Sequence, residues 1–262
     1  MDASHPLFTN YKGLPGTWDE LFTEGGAARE PFRRVLGMLG ARPCSEFASC
    51  QALAERALLN QGVTFSVYAD QRGTEKIFPF CLVPRMISAP DWAHLEAGLK
   101  QRVTALEHFL DDIYGEQRIF RDGIVPRDLV LASKSYFPQL RGVKPSGGVR
   151  LHIAGIDLVR DPEGVFRVLE DNLRTPSGVS YVLENRILSK RVLPDCIDAA
   201  RVQPVDLYPF RLADTLRSVS PVDPGKTTAV VLTPGPFNSA FFEHSFLART
   251  MGLELVQSQD LF

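Results

Sequence analysis

Apolar residues recur at helical spacing most clearly over residues 91–114, DWAHLEAGLKQRVTALEHFLDDIY. Leu95, Leu99, Val103, Leu106, Leu110 and Ile113 form one stripe, and Gly115 stops the helix. A stripe of this width predicts packing against a sheet. Residues 46–60, EFASCQALAERALLN, repeat at the same spacing and end before Gly62. VTFSVYA then alternates as a strand, Asp70 to Gly73 reads as a turn, and IFPFCLVP reads as a second extended run. Upstream, Thr17-Trp18-Asp19-Glu20 has the form of a capping box and predicts a short helix through Leu21 and Phe22.

The pattern changes after about residue 142. Val149 to Asn172 reads as strand, turn, strand, with Asp161-Pro162-Glu163-Gly164 as the turn. Thr175-Pro176-Ser177-Gly178 turns the chain again, and Ser177 is placed to cap a helix through Val179, Val182, Leu183 and Ile187. A polar, proline-dotted segment follows over 201–225. TTAVVLT then reads as a buried strand, AFFEHSFLARTMG as a helix and LELVQSQDLF as a strand, which makes a β-α-β unit. Parallel sheets are normally covered on both faces. One helix and two strands leave this one short of cover, so the expectation is a chain cut short within a domain. The parts are 1–115, an N-terminal α+β region; 116–200; and 201–262, a Rossmann-like beginning.

The hairpin carries the candidate chemistry. If its strands pair tightly around the turn, Arg160 faces Val165, Asp157 faces Val168 and Gly155 faces Glu170. Opposed residues of an antiparallel pair share a face, and side chains alternate along each strand. Asp157, Glu170 and Asn172 then converge on one side, and Gly155 leaves space beside Glu170. Two carboxylates and an amide oxygen suit Mg²⁺, which takes its remaining ligands from water and substrate phosphates. Arg174 follows at hand for a phosphate or carboxylate, and a helix N-terminus beyond Ser177 is a weak anion site. The same acids can stand as solvated surface groups, and a one-residue register change separates Asp157 from the other two. Asp171 falls on the opposite face.

Bulk properties narrow the classes. The net charge of −2, with 44% hydrophobic and 23% charged residues, gives no basic face for nucleic acid. No apolar run is long enough for a membrane span, and MDASHPLFTNYKG is unlike a signal peptide. Cys44, Cys50, Cys81 and Cys196 form no C-x-x-C pair and read as small buried thiols of a cytoplasmic protein. Gly225-Lys226-Thr227 mimics the end of a Walker A loop but precedes a strand, so it reads as a turn. Glu243-His244 lacks the second histidine of a zinc-protease motif and is expected on the polar side or at the end of its helix. Arg141 to Gly148 is a basic, glycine-containing loop that reads as a surface connection.

VRLHIAGIDLVRDPEGVFRVLEDNLRTPSGVSYVLENR resembles, nearly residue for residue, the signature block of the circularly permuted ATP-grasp type 2 family. GVTFSVYADQRGTEKIFPFCLVPRMI and VVLTPGPFNSAFFEHSFLARTMGLELVQSQDLF are similar to its flanking segments. The resemblance implies an ATP-grasp-like fold of α+β or α/β class, with a mixed sheet and an antiparallel hairpin bearing the metal site. It implies ATP and Mg²⁺ as cofactors, with Asp157, Glu170 and Asn172 on the metal, Arg174 steadying phosphate or an acyl phosphate, and Ser177 beside the nucleotide.

Relatives of this family are longer, with phosphate-binding lysines and the adenine pocket placed after the metal-bearing part. The expectation is therefore a truncated ATP-dependent carboxylate-amine ligase, incomplete at the C-terminus and of little activity alone. Its substrates would be a small-molecule or peptide carboxylate and an amine, with a partner chain supplying the missing portion. A non-catalytic binding module or gene fragment is the alternative. A metal-dependent phosphoesterase using the same acids is a third.

Overall fold

The computed structural model describes residues 6–30, 32–66, 75–77 and 79–261. Helices α1 (Phe32–Gly40) and α2 (Cys44–Asn60) lead into β1 (Thr64–Ser66) and β2 (Glu75–Ile77), which pair antiparallel. The expected turn at 70–73 lies outside the described residues. Past Phe78 no strand forms over 79–88, where Pro79 and Pro84 lack the N–H a ladder needs.

Helix α3 (Ala89–Tyr114) is the predicted long helix. Ser88 caps it by accepting from the Asp91 amide at 3.1 Å. Leu95 and Ile113 of the stripe are buried; Leu99, Val103, Leu106 and Leu110 are half-buried. Short helices α4 (Arg118–Arg121) and α5 (Arg127–Leu131) lead to the hairpin β3 (Gly155–Arg160) and β4 (Phe166–Asn172). Polar side chains of α3 meet this hairpin and the segment before it. Asp91 pairs with Arg160 at 3.1 Å and Arg102 with Asp171 at 2.6 Å. Glu107 accepts from the amides of Arg150 and Leu151, and Asp111 pairs with Arg150. The two hairpin ties are about 16 Å apart along the helix at 1.5 Å per residue. They are about 13 Å apart along the strands at 3.3 Å per residue. The spacings agree closely enough for helix and hairpin to run side by side.

Helices α6 (Val179–Val192), α7 (Pro194–Ala200) and α8 (Tyr208–Ser218) follow, then β5 (Val230–Leu232), α9 (Phe241–Met251) and β6 (Glu254–Val256). β5 and β6 are parallel, with Val230 opposite Glu254, so the predicted β-α-β unit is present. The described strands form three separate two-stranded sheets, and no mixed sheet joins them among the described residues. The larger packing is helical. Val35 and Leu39 of α1, Ala54 and Leu58 of α2, and Leu188, Val192 and Cys196 from α6 and α7 make one core. A second cluster gathers Phe8, Phe22, Ala28, Phe32 and Leu36.

Two local expectations change. Residues 17–22 are not helical. Of the two would-be capping groups, Thr17 bonds back to the Leu14 carbonyl and Glu20 pairs with Arg85, while the Asp19 carboxylate closes a turn by accepting from the amides of Leu21 and Phe22 at 2.8 and 3.0 Å. Of the cysteines only Cys196 is buried; Cys50 is half-buried, and Cys44 and Cys81 are exposed. Gly225-Lys226 lies in a 3₁₀ turn, as expected. No helix of the described residues is long and apolar enough to cross a membrane.

Candidate cation and phosphate site

The hairpin turn is one residue shorter than its sequence suggests. Asp161 and Val165 close it, with the Asp161 amide donating to the Val165 carbonyl at 2.9 Å and the Asp161 carboxylate accepting from the Val165 amide. Pro162, Glu163 and Gly164 form a three-residue loop with Gly164 at φ 83°, a conformation glycine adopts without cost. A Cβ there would also meet the Trp18 ring at 2.7 Å. Arg160 therefore faces Phe166, not Val165, and Leu158 faces Val168.

Carried straight on, that register would set Asp157 opposite Leu169 and turn Glu170 to the other face. A β-bulge between the pairs Leu158–Val168 and Asp157–Glu170 prevents this. Leu169 is the extra residue, 67% exposed. Beyond it Asp157 lies directly opposite Glu170, Ile156 opposite Asp171 and Gly155 opposite Asn172. Two one-residue shifts restore the parity, so Asp157, Glu170 and Asn172 share one face by a different pairing from the expected one. The face is exposed, while Ile156, Leu158, Arg160, Phe166, Val168 and Asp171 on the other side are half-buried.

Gly155 does not leave open space. A Cβ on it would lie 2.5 Å from Cβ of Pro176 and 3.6 Å from that of Asn172, so the missing side chain admits the 173–178 loop against the strand. The Asn172 amide donates to Glu170 Oε1 at 3.1 Å. Asp157 has its carboxyl pKa raised above the usual value, first by loss of hydration, then by a hydrogen bond to Glu170 and the charge of that residue. Neither acid has a lysine or arginine partner among the described residues. The third oxygen is an amide, and no group of three His, Cys, Asp or Glu is placed to hold a metal among the described residues.

Arg174 is exposed on the loop after β4. Ser177 is exposed and does not cap α6, whose cap residue is Gly178 with φ 105°. The cap group comes from α9. The Glu243 carboxylate accepts from the Gly178 amide at 2.8 Å, the Ser180 amide at 3.1 Å and the Ser180 hydroxyl. Glu243 is 5% exposed, in the first turn of α9 and not on its polar side. The α6 N-terminus is thus filled by the protein's own carboxylate, and the expected weak anion site there is corrected. A turn followed by a helix marks a need for a cap, but no local signal names an acceptor 63 residues away. Asp171 and Arg102 were also missed as a pair, for the same reason. The basic loop at 141–148 is tied down by the Ser146 hydroxyl, which donates to the Ser220 carbonyl.

The sequence profile of the circularly permuted ATP-grasp type 2 family matches residues 84–262. This chain belongs to that family. The match takes in α3, the bulged hairpin, the loop carrying Arg174 and the β5-α9-β6 unit. It does not bear out the expectation of a chain cut short inside a domain. An uncharacterized protein of Mycobacterium tuberculosis (strain ATCC 25618 / H37Rv) is 50% identical over 245 residues, which cover 94% of this chain and 44% of that protein. One from Synechocystis (strain PCC 6803) is 48% identical over 248 residues, 94% of this chain and 52% of the relative. A Frankia casuarinae protein provisionally named glutamate–cysteine ligase 2-2 is 41% identical over 251 residues, 94% of this chain and 28% of the relative. The chain thus spans about half the length, or less, of these relatives.

Proposed function

We propose that this chain carries the metal-and-phosphate part of an ATP-dependent ligase that joins a carboxylate to an amine. One observation carries the reading: Asp157 and Glu170 face each other across the bulge on an exposed face, and neither pairs with a lysine or arginine among the described residues. Two carboxylates this close repel unless a proton or a cation is shared, and the donors are the hard oxygens Mg²⁺ prefers. Asp157, Glu170 and Asn172 would hold the ion, with the Asn172 amide turned to present its oxygen. When bound, Mg²⁺ offsets charge on ATP phosphates as the γ-phosphoryl group moves.

The chain's own residues then position the reactants. Arg174, exposed and two residues beyond Asn172, meets a phosphate oxygen or the acyl phosphate as a fork of donors. Ser177, exposed on the same loop, would contact the nucleotide. The substrate carboxylate oxygen attacks the γ-phosphorus, ADP leaves, and the amine then displaces phosphate from the acyl carbon with loss of a proton. The name borne by the Frankia relatives, glutamate–cysteine ligase, supports a small-molecule carboxylate and amine of this kind. The boundaries near 115 and 200 are proposed as well, although the main core joins α1 and α2 to α6 and α7 across the first of them.

Calorimetric titration of Mg²⁺ into the chain, with and without ATP, tests the site. The reading predicts a saturable isotherm that is lost in Asp157→Asn and in Glu170→Gln while both variants stay folded. An identical isotherm in wild type and both variants would remove these acids from the role. In a full-length relative, substitution at the position matching Glu170 should abolish turnover.

A further inference from the structure

β4 places two acids in succession, Glu170 on the exposed face and Asp171 on the face toward α3. The Arg102 guanidinium holds Asp171 in a fork, with contacts of 2.7, 3.0 and 2.6 Å. Asp171 is the more buried partner, its side chain 15% exposed against 43% for Arg102. The pairing holds the Asp171 carboxyl below its usual pKa, chiefly through the hydrogen bond.

The hairpin has a second register within reach. Without the bulge at Leu169, the pairing Leu158–Val168 would continue as Asp157–Leu169 and Ile156–Glu170. Glu170 would then take the place opposite Ile156 that Asp171 now holds, and Arg102 would meet it there. Strand registers a residue apart exchange the faces of every side chain beyond the slip. Each register therefore offers Arg102 one carboxylate, and the two carboxylates compete for one guanidinium.

We propose that Asp171 is a positioning residue for the cation face: by occupying Arg102 it keeps the bulge at Leu169 and leaves Glu170 turned outward beside Asp157. The inference rests on the metal reading for its consequence, but the register itself is independent of any metal. Asp171 touches neither ion nor phosphate. Arg102 confers no outward preference by itself and is harmful once Asp171 is gone.

A double-mutant cycle with two readouts tests this. Cross-strand backbone NOEs of Ile156 report the register, and Mn²⁺ affinity from water-proton relaxation reports the cation face. In wild type Ile156 contacts residue 171. In Asp171→Ala those NOEs should move to residue 170, and Mn²⁺ affinity should fall about 10- to 100-fold, the range for loss of an outer positioning group. In the double variant Arg102→Ala/Asp171→Ala no guanidinium draws Glu170 inward, so the NOEs and most of the affinity should return. A plain loss of packing would instead leave the double variant at least as impaired as the single one, and that result overturns the proposal. Unchanged NOEs in Asp171→Ala overturn it also. Absence of Mn²⁺ binding by the wild type would sink the metal reading alone, since the NOEs still decide the role of Asp171.

Discussion

Replacing Glu243 with alanine removes one carboxylate and strands three donors. They are the amides of Gly178 and Ser180 and the Ser180 hydroxyl, and Ser180 is fully buried. A buried donor left without a partner costs about 1–3 kcal/mol. Loss of an N-cap alone costs about 0.5–2 kcal/mol. The donors share one acceptor, so the costs overlap, and water can reach Gly178, which is only half-buried. Glu243→Ala should therefore lose about 3–4 kcal/mol, a large fraction of the roughly 5–15 kcal/mol that holds a folded protein together. Glu243→Gln keeps one acceptor oxygen and should lose about half as much. Urea unfolding followed by far-UV circular dichroism gives both values from midpoint and slope. A loss below about 1 kcal/mol in Glu243→Ala would mean the α6 terminus is satisfied by other means, and the account of the cap would be wrong.

Three further outcomes follow from the same geometry. Tyr208 and Tyr181 have phenol pKa values raised first by burial and then by the Glu243 charge, so Glu243→Gln should lower both in a spectrophotometric titration. The Asp157 carboxyl is raised in the folded state, so its contribution to stability is full below the ordinary carboxylate range and is lost as pH rises through the raised value. Added Mg²⁺ should accordingly raise the melting temperature more at pH 7 than at pH 4, and an equal rise at both would count against the shared cation. Gly155→Ala forces a methyl to within 2.5 Å of Pro176, which should cost about 1–3 kcal/mol by overpacking and weaken Mn²⁺ binding by displacing the loop.

The long helix, the 44–60 helix and the β-α-β unit were legible because each rests on local periodicity and local stop signals. That Asp157, Glu170 and Asn172 share one face was legible, but their pairing was not. The sequence contains nothing that distinguishes a four-residue loop at 161–164 from a three-residue one closed by Asp161 and Val165. Nor does it mark Leu169 as a bulge, because an exposed leucine between Val168 and Glu170 fits either strand geometry. Two errors of one residue cancelled at Asp157. Ser177 was misread because a serine before a helix is the usual cap, and here a buried glutamate from α9 wins the same amides. The capping-box form at residues 17–20 failed for a similar reason: Thr17 found a backbone partner in the turn before it and Glu20 found Arg85, 65 residues away. Side-chain partners distant along the chain, such as Arg102 and Asp171, leave no local trace.

The most direct test of the shared-cation account is the paramagnetic broadening of amide resonances when one equivalent of Mn²⁺ is added to the isotopically labelled chain. Signals from residues 156–158 and 169–174 should broaden first, and excess Mg²⁺ should restore them. Broadening centred elsewhere, on the exposed acids of α3 or α5 for example, with the hairpin signals left sharp, would contradict it.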